Sequence, residues 1–393
     1  MTSIPFSPPD IHEDDIAAVV EVLRSGWITT GPKAAEFESR VAEYSKTPEA
    51  LALSSCTSAI EFALRVSGVG PQSEVIVPAY TYTASASPAH HLGASIVMVD
   101  TAEHSYFPSV EAILEAVTPR TQVIVVVDYA GVPFPTAELI ARLDAIAFDR
   151  EDYPFNLSRP VVLVDGAHSL GAQTDGLPAS RTGDFTAFSF HAVKNLTTGE
   201  GGMLTWRANL VEDNALLKKE LRQLALHGQS KDALAKMKAG AWEYDIAFPG
   251  YKENMPDILA ALGLSQLDRY PEMIARRREI LNQYQAGLHE YLDFLPHSGE
   301  CFQSSAHLAI AAIRNSNASR DELILHLARN GVSANVHYKP LPLLTAYSNL
   351  GFRTRDYPHA MAQYRKQISL PLHTKLTDAD VQFVISKVRE FFA

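Results

Sequence analysis

Seven short apolar runs punctuate the first half of the chain, at residues 51–53, 75–77, 96–99, 123–127, 161–164, 186–190 and 203–206. Most are continuously apolar rather than alternating, the pattern of strands covered on both faces. Helical periodicity appears between several of them, at 60–66, 110–117 and 137–146. Strands alternating with helices predict an α/β fold built on a mostly parallel sheet. Ligands of such sheets bind beyond the carboxyl ends of the strands. Asp100, Asp128, Asp165 and Lys194 all fall at or just after such ends.

Ahead of the sheet, Ile16, Val19, Val20 and Leu23 share one helical face, and Ser25-Gly26 stops that helix. Residues 25–32 read as a loop, and Phe37, Val41 and Tyr44 mark a second amphipathic helix. After Trp206 come a charged helical stretch and a polar segment at 227–240. Pro256 suits the first turn of a long helix carrying Leu262, Leu264 and Leu267. The lobe boundary is placed there, with an N-terminal arm and large domain at 1–255 and a linking helix and small domain at 256–393. The second lobe has a strand at 307–313, a helix opened by Ser319-x-x-Glu322 and closed by Asn330-Gly331, and a last helix from Thr377-x-x-Asp380. That last helix buries Val381, Val384, Ile385 and Val388, and the lobe reads as α+β.

Composition narrows the function. The 393 residues are 46% hydrophobic and 20% charged, which fits a globular protein with a large core. A formal net charge of −11 argues against nucleic acid or an anionic membrane as the main partner. No basic-then-apolar leader is read at the N-terminus, and no apolar run is long enough to span a bilayer. Cys56 and Cys301 are the only cysteines, which fits a reducing cytoplasm and builds neither a disulfide framework nor a zinc site.

The chemistry gathers at strand ends. The run Phe185 to Val193 is mostly apolar and ends on Lys194, followed by a turn rich in Thr and Gly through Gly202. A desolvated lysine has a lowered pKa and offers a nucleophilic amine to carbonyls. Ser55-Cys56-Thr57-Ser58 leads from a strand into a helix, and Ser58 and Glu61 have capping-box spacing. The N–H groups there could cradle an anion, although many helices begin this way only to satisfy their own donors. Asp165 ends its strand and could pair with a protonated ring nitrogen, cap a helix or bind a metal; no His and carboxylate cluster nearby completes a metal shell. Tyr80 and Tyr82 offer a ring to lie on a planar cofactor, or simply pack in the core. A phosphate cup, an aromatic plate, an Asp and a Lys in this order make up a pyridoxal phosphate site.

The chain resembles the DegT/DnrJ/EryC1/StrS sugar aminotransferases. The matching stretches are 25–32, 55–59, 77–82, Asp165-Gly166-Ala167-His168-Ser169-Leu170-Gly171, Lys194 to Gly202, Gly250-Tyr251-Lys252 with Asn254-Met255, and Val336-His337-Tyr338. The resemblance implies a type I aminotransferase fold, with a large domain on a mostly parallel seven-stranded sheet and a smaller C-terminal α+β domain. It implies a homodimer with active sites at the interface, binding pyridoxal 5'-phosphate; the cysteine usage adds a cytoplasmic location, and no metal is expected. Lys194 would carry the cofactor covalently, Asp165 would hold its ring nitrogen, and Tyr82 and Ala167 would face the ring from opposite sides. Thr57, Ser58 and Ser189 would bind the phosphate, Lys252 would reach it from the other subunit, and His168 would lie near the cofactor's oxygen side. Thr29, Thr30, His227, Lys231, His337 and Tyr338 are candidates to contact substrate.

Departures from the related pattern touch the substrate side. Glu253 stands where the motif has a second Tyr, Lys231 where it has Arg and Leu234 where it has Trp. The reaction expected is transfer of an amino group, from glutamate, to a nucleotide-linked ketosugar. The stretch from Lys194 with Gly250-Tyr251-Lys252 most resembles members that aminate C4 of a 4-keto-6-deoxyhexose for surface glycans. Members acting at C3 or on a cyclitol ketone share the same cofactor motifs. Lys231, Lys252, Arg222 and His227 are candidate cations for a diphosphate, with Arg222 read as a solvated helix position. Sugar dehydratases on this fold carry His where Lys194 stands, so the lysine argues against that activity. A non-catalytic regulatory protein would need no such site.

Overall fold

The computed structural model describes residues 3–148, 153–230, 243–314 and 318–393. All seven expected runs become strands, and all seven join one sheet. They are β1 (Ala50–Leu53), β2 (Glu74–Pro78), β3 (Ser95–Val99), β4 (Thr121–Val127) and β5 (Val161–Asp165), then, beyond a small hairpin of β6 (Gln173–Thr174) and β7 (Leu177–Pro178), β8 (Phe185–Ser189) and β9 (Gly202–Trp206). The order across the sheet is β1-β9-β8-β5-β4-β2-β3. Only β9 runs against its neighbours, pairing antiparallel with both β1 and β8.

Period-two alternation explains why these strands are apolar throughout. Val123 and Val125 of β4, with Val161 and Leu163 of β5, pack on the face covered by helix α3 (Cys56–Val66). Ile124, Val126, Val162 and Val164 pack on the other face, against Leu139 and Leu143 of the helix Thr136–Asp144. The same parity carries forward to the chemistry. Asp165 continues the series 161, 163, 165, and Ser189 the series 185, 187, 189, so both side chains leave the sheet on the α3 face.

The helix boundaries correct two details of the sequence reading. α3 begins at Cys56, capped by Ser55, whose Oγ accepts the Ser58 N–H; Ser58 is inside the helix, and Glu61 pairs with Arg65 instead of closing a box. Pro256 is the N-cap of the helix Asp257–Asp268, one place before the first turn. Two other signals act as read. Gly26 ends α1 (Glu13–Ser25) at φ +74°, and Thr377 with Asp380 forms a complete capping box.

The expected C-terminal strand, shortened to Ala309–Ile313, is central in a three-stranded antiparallel sheet with Leu292–Phe294 and Gln367–Leu370. Neither flanking strand is evident from the sequence, being three and four residues long. The nineteen-residue helix Tyr270–Leu288 joins the cores. Its Tyr270, Met273 and Ile274 pack with α2 (Pro32–Ser45), while Ile280, Leu281, Tyr284 and Leu288 pack with the C-terminal sheet. The segment between residues 3 and 10 ties these parts together: Ile4 bridges Val332, Phe6 stacks on His337 at 5.2 Å, and Asp10 O accepts from Arg269.

Candidate active site

A cavity of about 350 Å³ opens at the carboxyl ends of β4, β5 and β8. Lys194, Asp165, His168, Ala167, Thr57, Ser189, Tyr82, His337 and Tyr338 all line it. These residues come from five separate stretches of chain. Their meeting at strand ends follows from the parallel sheet, which delivers successive βα turns to one edge.

Asp165 is buried and held by two donors. Ser85 Oγ donates to Oδ2 at 2.6 Å, and the Ala167 N–H donates to Oδ1 at 3.1 Å. Burial raises the pKa of this carboxyl; the Ser85 and Ala167 hydrogen bonds and then the Lys194 charge partly offset that rise. Cys56, the first residue of α3, places Sγ 3.9 Å from Oδ1. Its thiol is pushed well up by burial and by the adjacent carboxylate, so it stays protonated.

Lys194 is half-buried, and its amine is lowered to about 8 because loss of hydration outweighs the attraction of Cys56 and Asp165. With an ordinary pKa, fewer than about one amine in a thousand would be neutral at pH 7; near 8, on the order of a tenth is. That amine can attack a carbonyl.

His168 is neutral, and its tautomer is set by the backbone. The Ala130 N–H donates to Nδ1 at 3.2 Å, so the ring proton sits on Nε2 and is given to Tyr338 Oη, 3.1 Å away. Burial first, then the Lys194 charge, holds this imidazole well below its usual pKa. Tyr338 Oη, accepting from His168, keeps its own hydrogen for the cavity. Behind His168, the ring of His307 lies 4.3 Å away, and its Nδ1 is 2.9 Å from Asn195 Oδ1. Asn195 Nδ2 donates to Ser305 O at 2.7 Å, which fixes the amide. The Tyr82 ring is 57% exposed and stands at the cavity mouth, 5.4 Å from the Tyr338 ring. His337 donates its N–H to Gln367 Oε1 at 3.1 Å, and its pKa is lowered to about 4 by burial.

Several expected residues lie elsewhere. Ser58 does not line the cavity; its N–H and hydroxyl are used by Ser55 and Glu253. Lys252 is exposed and donates to Asn254 Oδ1, away from this chain's own cavity. Thr30 donates to Met255 O at 2.6 Å and Thr29 O accepts from Asp257 N, so the pair pins the 25–32 loop to the helix Asp257–Asp268. His227 is exposed at φ +58°. Arg222 is bound to the buried carboxylate of Glu38, 2.5 Å away. Lys231 and Leu234 lie outside the described residues. Ser85, Cys56, Asn195 and His307 were not singled out as site residues. Cys56 and Asn195 fall within stretches noted for other reasons.

The donor set suits pyridoxal phosphate. A desolvated amine, an anchored carboxylate and a helix N-terminus with Thr57 and Ser189 beside it converge on one cavity of the right scale. Fold and site together define a pyridoxal phosphate-dependent aminotransferase of the type I fold. The chain belongs to the DegT/DnrJ/EryC1/StrS aminotransferase family, whose model matches residues 9–389. SpsC, a spore coat polysaccharide biosynthesis protein of Bacillus subtilis strain 168, is 35% identical over 393 residues, covering 98% of this chain and 96% of its own. Spr1654 of Streptococcus pneumoniae, described as a sugar aminotransferase, superposes in its PMP form with a TM-score of 0.93 at 48% identity, over 99% of this chain and 98% of that one. PseC of Helicobacter pylori, an aminotransferase of pseudoaminic acid biosynthesis, gives 0.86 at 26% identity over 100% and 99% of the two chains. Among the described residues, no helix is long and apolar enough to cross a membrane.

Proposed function

We propose that this enzyme transfers an amino group from glutamate to a nucleotide-linked ketosugar, at C4 of a 4-keto-6-deoxyhexose, in the cytoplasm, for synthesis of a surface glycan. The observation that carries the chemistry is the placement of a half-buried amine of lowered pKa and a doubly anchored carboxylate on the walls of one cavity. The roles of SpsC in coat polysaccharide and PseC in pseudoaminic acid synthesis support a surface glycan as the destination.

In this reading Lys194 would hold the cofactor through Nζ and, when its amine is free, would take up and return the proton that the transfer moves. Bound pyridoxal phosphate supplies an electron sink for the carbanionic stage. Asp165 would pair with the ring nitrogen and keep it protonated, and its Ser85 and Ala167 donors fix the carboxylate for that contact. Ala167 and Tyr82 would face the ring from its two sides, Thr57 and Ser189 would meet the phosphate, and His168 would lie at the oxygen side, all five lining the same cavity. His337 and Tyr338 face the sugar, with the Tyr338 hydroxyl as donor.

The active unit is a homodimer, in which the exposed Lys252 reaches the other subunit's phosphate site. The substrate is tested by incubating the enzyme with glutamate and a panel of ketosugar nucleotides, identifying products by mass and NMR. An amino sugar at C4 with release of 2-oxoglutarate is expected. Amination at C3, or of a cyclitol ketone only, would overturn the C4 assignment.

A further inference from the structure

The N-terminus of α3 carries an unexpected negative charge. Glu253 Oε2 accepts from Ser54 Oγ at 2.6 Å and from Ser58 Oγ. The side chain is half-buried and its backbone is pinned: Ser54 N donates to Glu253 O at 2.7 Å, and Glu253 N donates to Ala225 O at 2.9 Å. This residue is also the departure from the related motif that the cofactor chemistry did not use.

Counting hydrogens shows what the carboxylate takes. Ser54 and Ser58 each give their hydroxyl hydrogen to Glu253. Ser55 Oγ, 2.8 Å from Ser58 Oγ, gives its hydrogen to Ser58 and accepts the Ser58 N–H at 3.0 Å. The 3.2 Å contact between Ser54 and Ser58 is then between two oxygens that have both spent their hydrogens. Three hydroxyls that would otherwise serve an anion at this helix end all point, directly or through a neighbour, at Glu253. Ser55 also lines the Lys194 cavity, so the carboxylate stands one hydroxyl behind the cavity wall. Its charge offsets the partial positive charge that makes a helix N-terminus attractive to phosphate.

We propose that Glu253 sets the affinity for the cofactor's phosphate, by withdrawing the serine hydroxyls of the α3 turn and placing a like charge behind them. This rests on the reading of the Lys194 cavity as the cofactor site. Thr57, Ser189 and the free N–H groups of the first turn carry the phosphate, while Ser54 and Ser58 serve Glu253. Phosphate binding is thereby held weaker than the three serines alone would make it.

The test uses the full-length protein freed of cofactor and titrated with pyridoxal phosphate and, separately, with pyridoxal, followed by absorbance. Removing a unit charge this close to a phosphate dianion is worth at least about tenfold at an effective dielectric near 20. Glu253→Gln is therefore expected to bind pyridoxal phosphate at least about tenfold tighter, leave pyridoxal within about twofold, and make inorganic phosphate a stronger competitor. Glu253→Tyr serves in the same way if the amide variant does not fold. Ser58→Ala is expected to change pyridoxal phosphate affinity by less than about threefold, because its hydroxyl is committed to Glu253. Unchanged or weaker pyridoxal phosphate binding in the Glu253 variants, equal tightening of both ligands, or a loss of about tenfold or more in Ser58→Ala would each overturn the proposal. A wild-type protein that binds neither ligand would sink the reading of the cavity and the proposal with it. Normal wild-type binding with no effect of Glu253 sinks the proposal alone.

Discussion

Ser85 donates its hydroxyl hydrogen to Asp165 Oδ2 across 2.6 Å, joining the turn after β2 to the end of β5. This hydrogen bond does most to hold the Asp165 pKa down against burial. Ser85→Ala is expected to cost about 1–3 kcal/mol in the stability of the ionised site. The Asp165 pKa rises further, so the acid limb of the kcat profile moves to higher pH. Measuring kcat against pH for both proteins checks this, and coincident profiles would remove Ser85 from that role. Asp165→Ala is expected to retain bound cofactor, seen by absorbance, while losing most turnover.

The Lys194 amine gives a pH dependence of definite sign. Its folded pKa of about 8 lies below its ordinary value of 10.5, so between those two the unfolded chain binds more protons than the folded one. Stability from this group therefore rises with pH through that window, and its penalty is fully present below about 8. Cofactor-free Lys194→Met should lack this increment when denaturant midpoints are compared at pH 7 and pH 9.5. The same variant should show no covalent trapping of pyridoxal phosphate by borohydride and no transamination.

His168 should remain neutral as pH falls. Burial first, then the Lys194 charge, holds it well below its usual pKa, and Ala130 N–H fixes the hydrogen on Nε2. Nitrogen-15 NMR of labelled histidine is expected to show the Nε2–H tautomer unchanged from pH 8 to pH 5.5. Protonation of His168 inside that range would contradict the geometry. Tyr338→Phe leaves the Nε2–H without its acceptor, and a loss of about 1 kcal/mol in stability is expected.

Glu38 is buried and accepts from the Ala52 N–H while pairing with Arg222 and Lys218. Removing it leaves Arg222 and a strand N–H without their partner, while Lys218 keeps Glu49 at 2.7 Å. Glu38→Ala is expected to destabilise by about 3–5 kcal/mol, whereas Arg222→Ala, at a partly exposed end of the network, costs about 1 kcal/mol or less. Thermal or urea unfolding distinguishes the two. A large loss of activity in Arg222→Ala with unchanged stability would return that residue to the list of substrate cations.

Much of the architecture was legible because its cause is local. A strand buried on both faces must be apolar at every position, so the seven runs of the central sheet announced themselves. The strands Leu292–Phe294 and Gln367–Leu370 did not, being short and recruited by their pairing with Ala309–Ile313. The caps divide in the same way. Thr377 and Asp380 close a box within four residues, whereas the Ser58 and Glu61 spacing misled because Ser55, three residues earlier, already capped the turn.

Sequence alone placed Asp165 at the end of a buried strand and Lys194 beyond one, since strand ends are where an apolar run meets a polar residue. β8 stops at Ser189, and Lys194 lies in the turn that follows, not at the strand's end. It also established which chemistry such a lysine could perform. Only the tertiary structure decided the partners: Ser85 for Asp165, Ala130 and Tyr338 for His168, Glu38 for Arg222, and Glu253 for the serines of the α3 turn. Those pairs are separated by between 38 and 199 positions in the chain. A hydrogen bond reaches about 3 Å, so its members are chosen by how the layers pack and not by their spacing along the sequence.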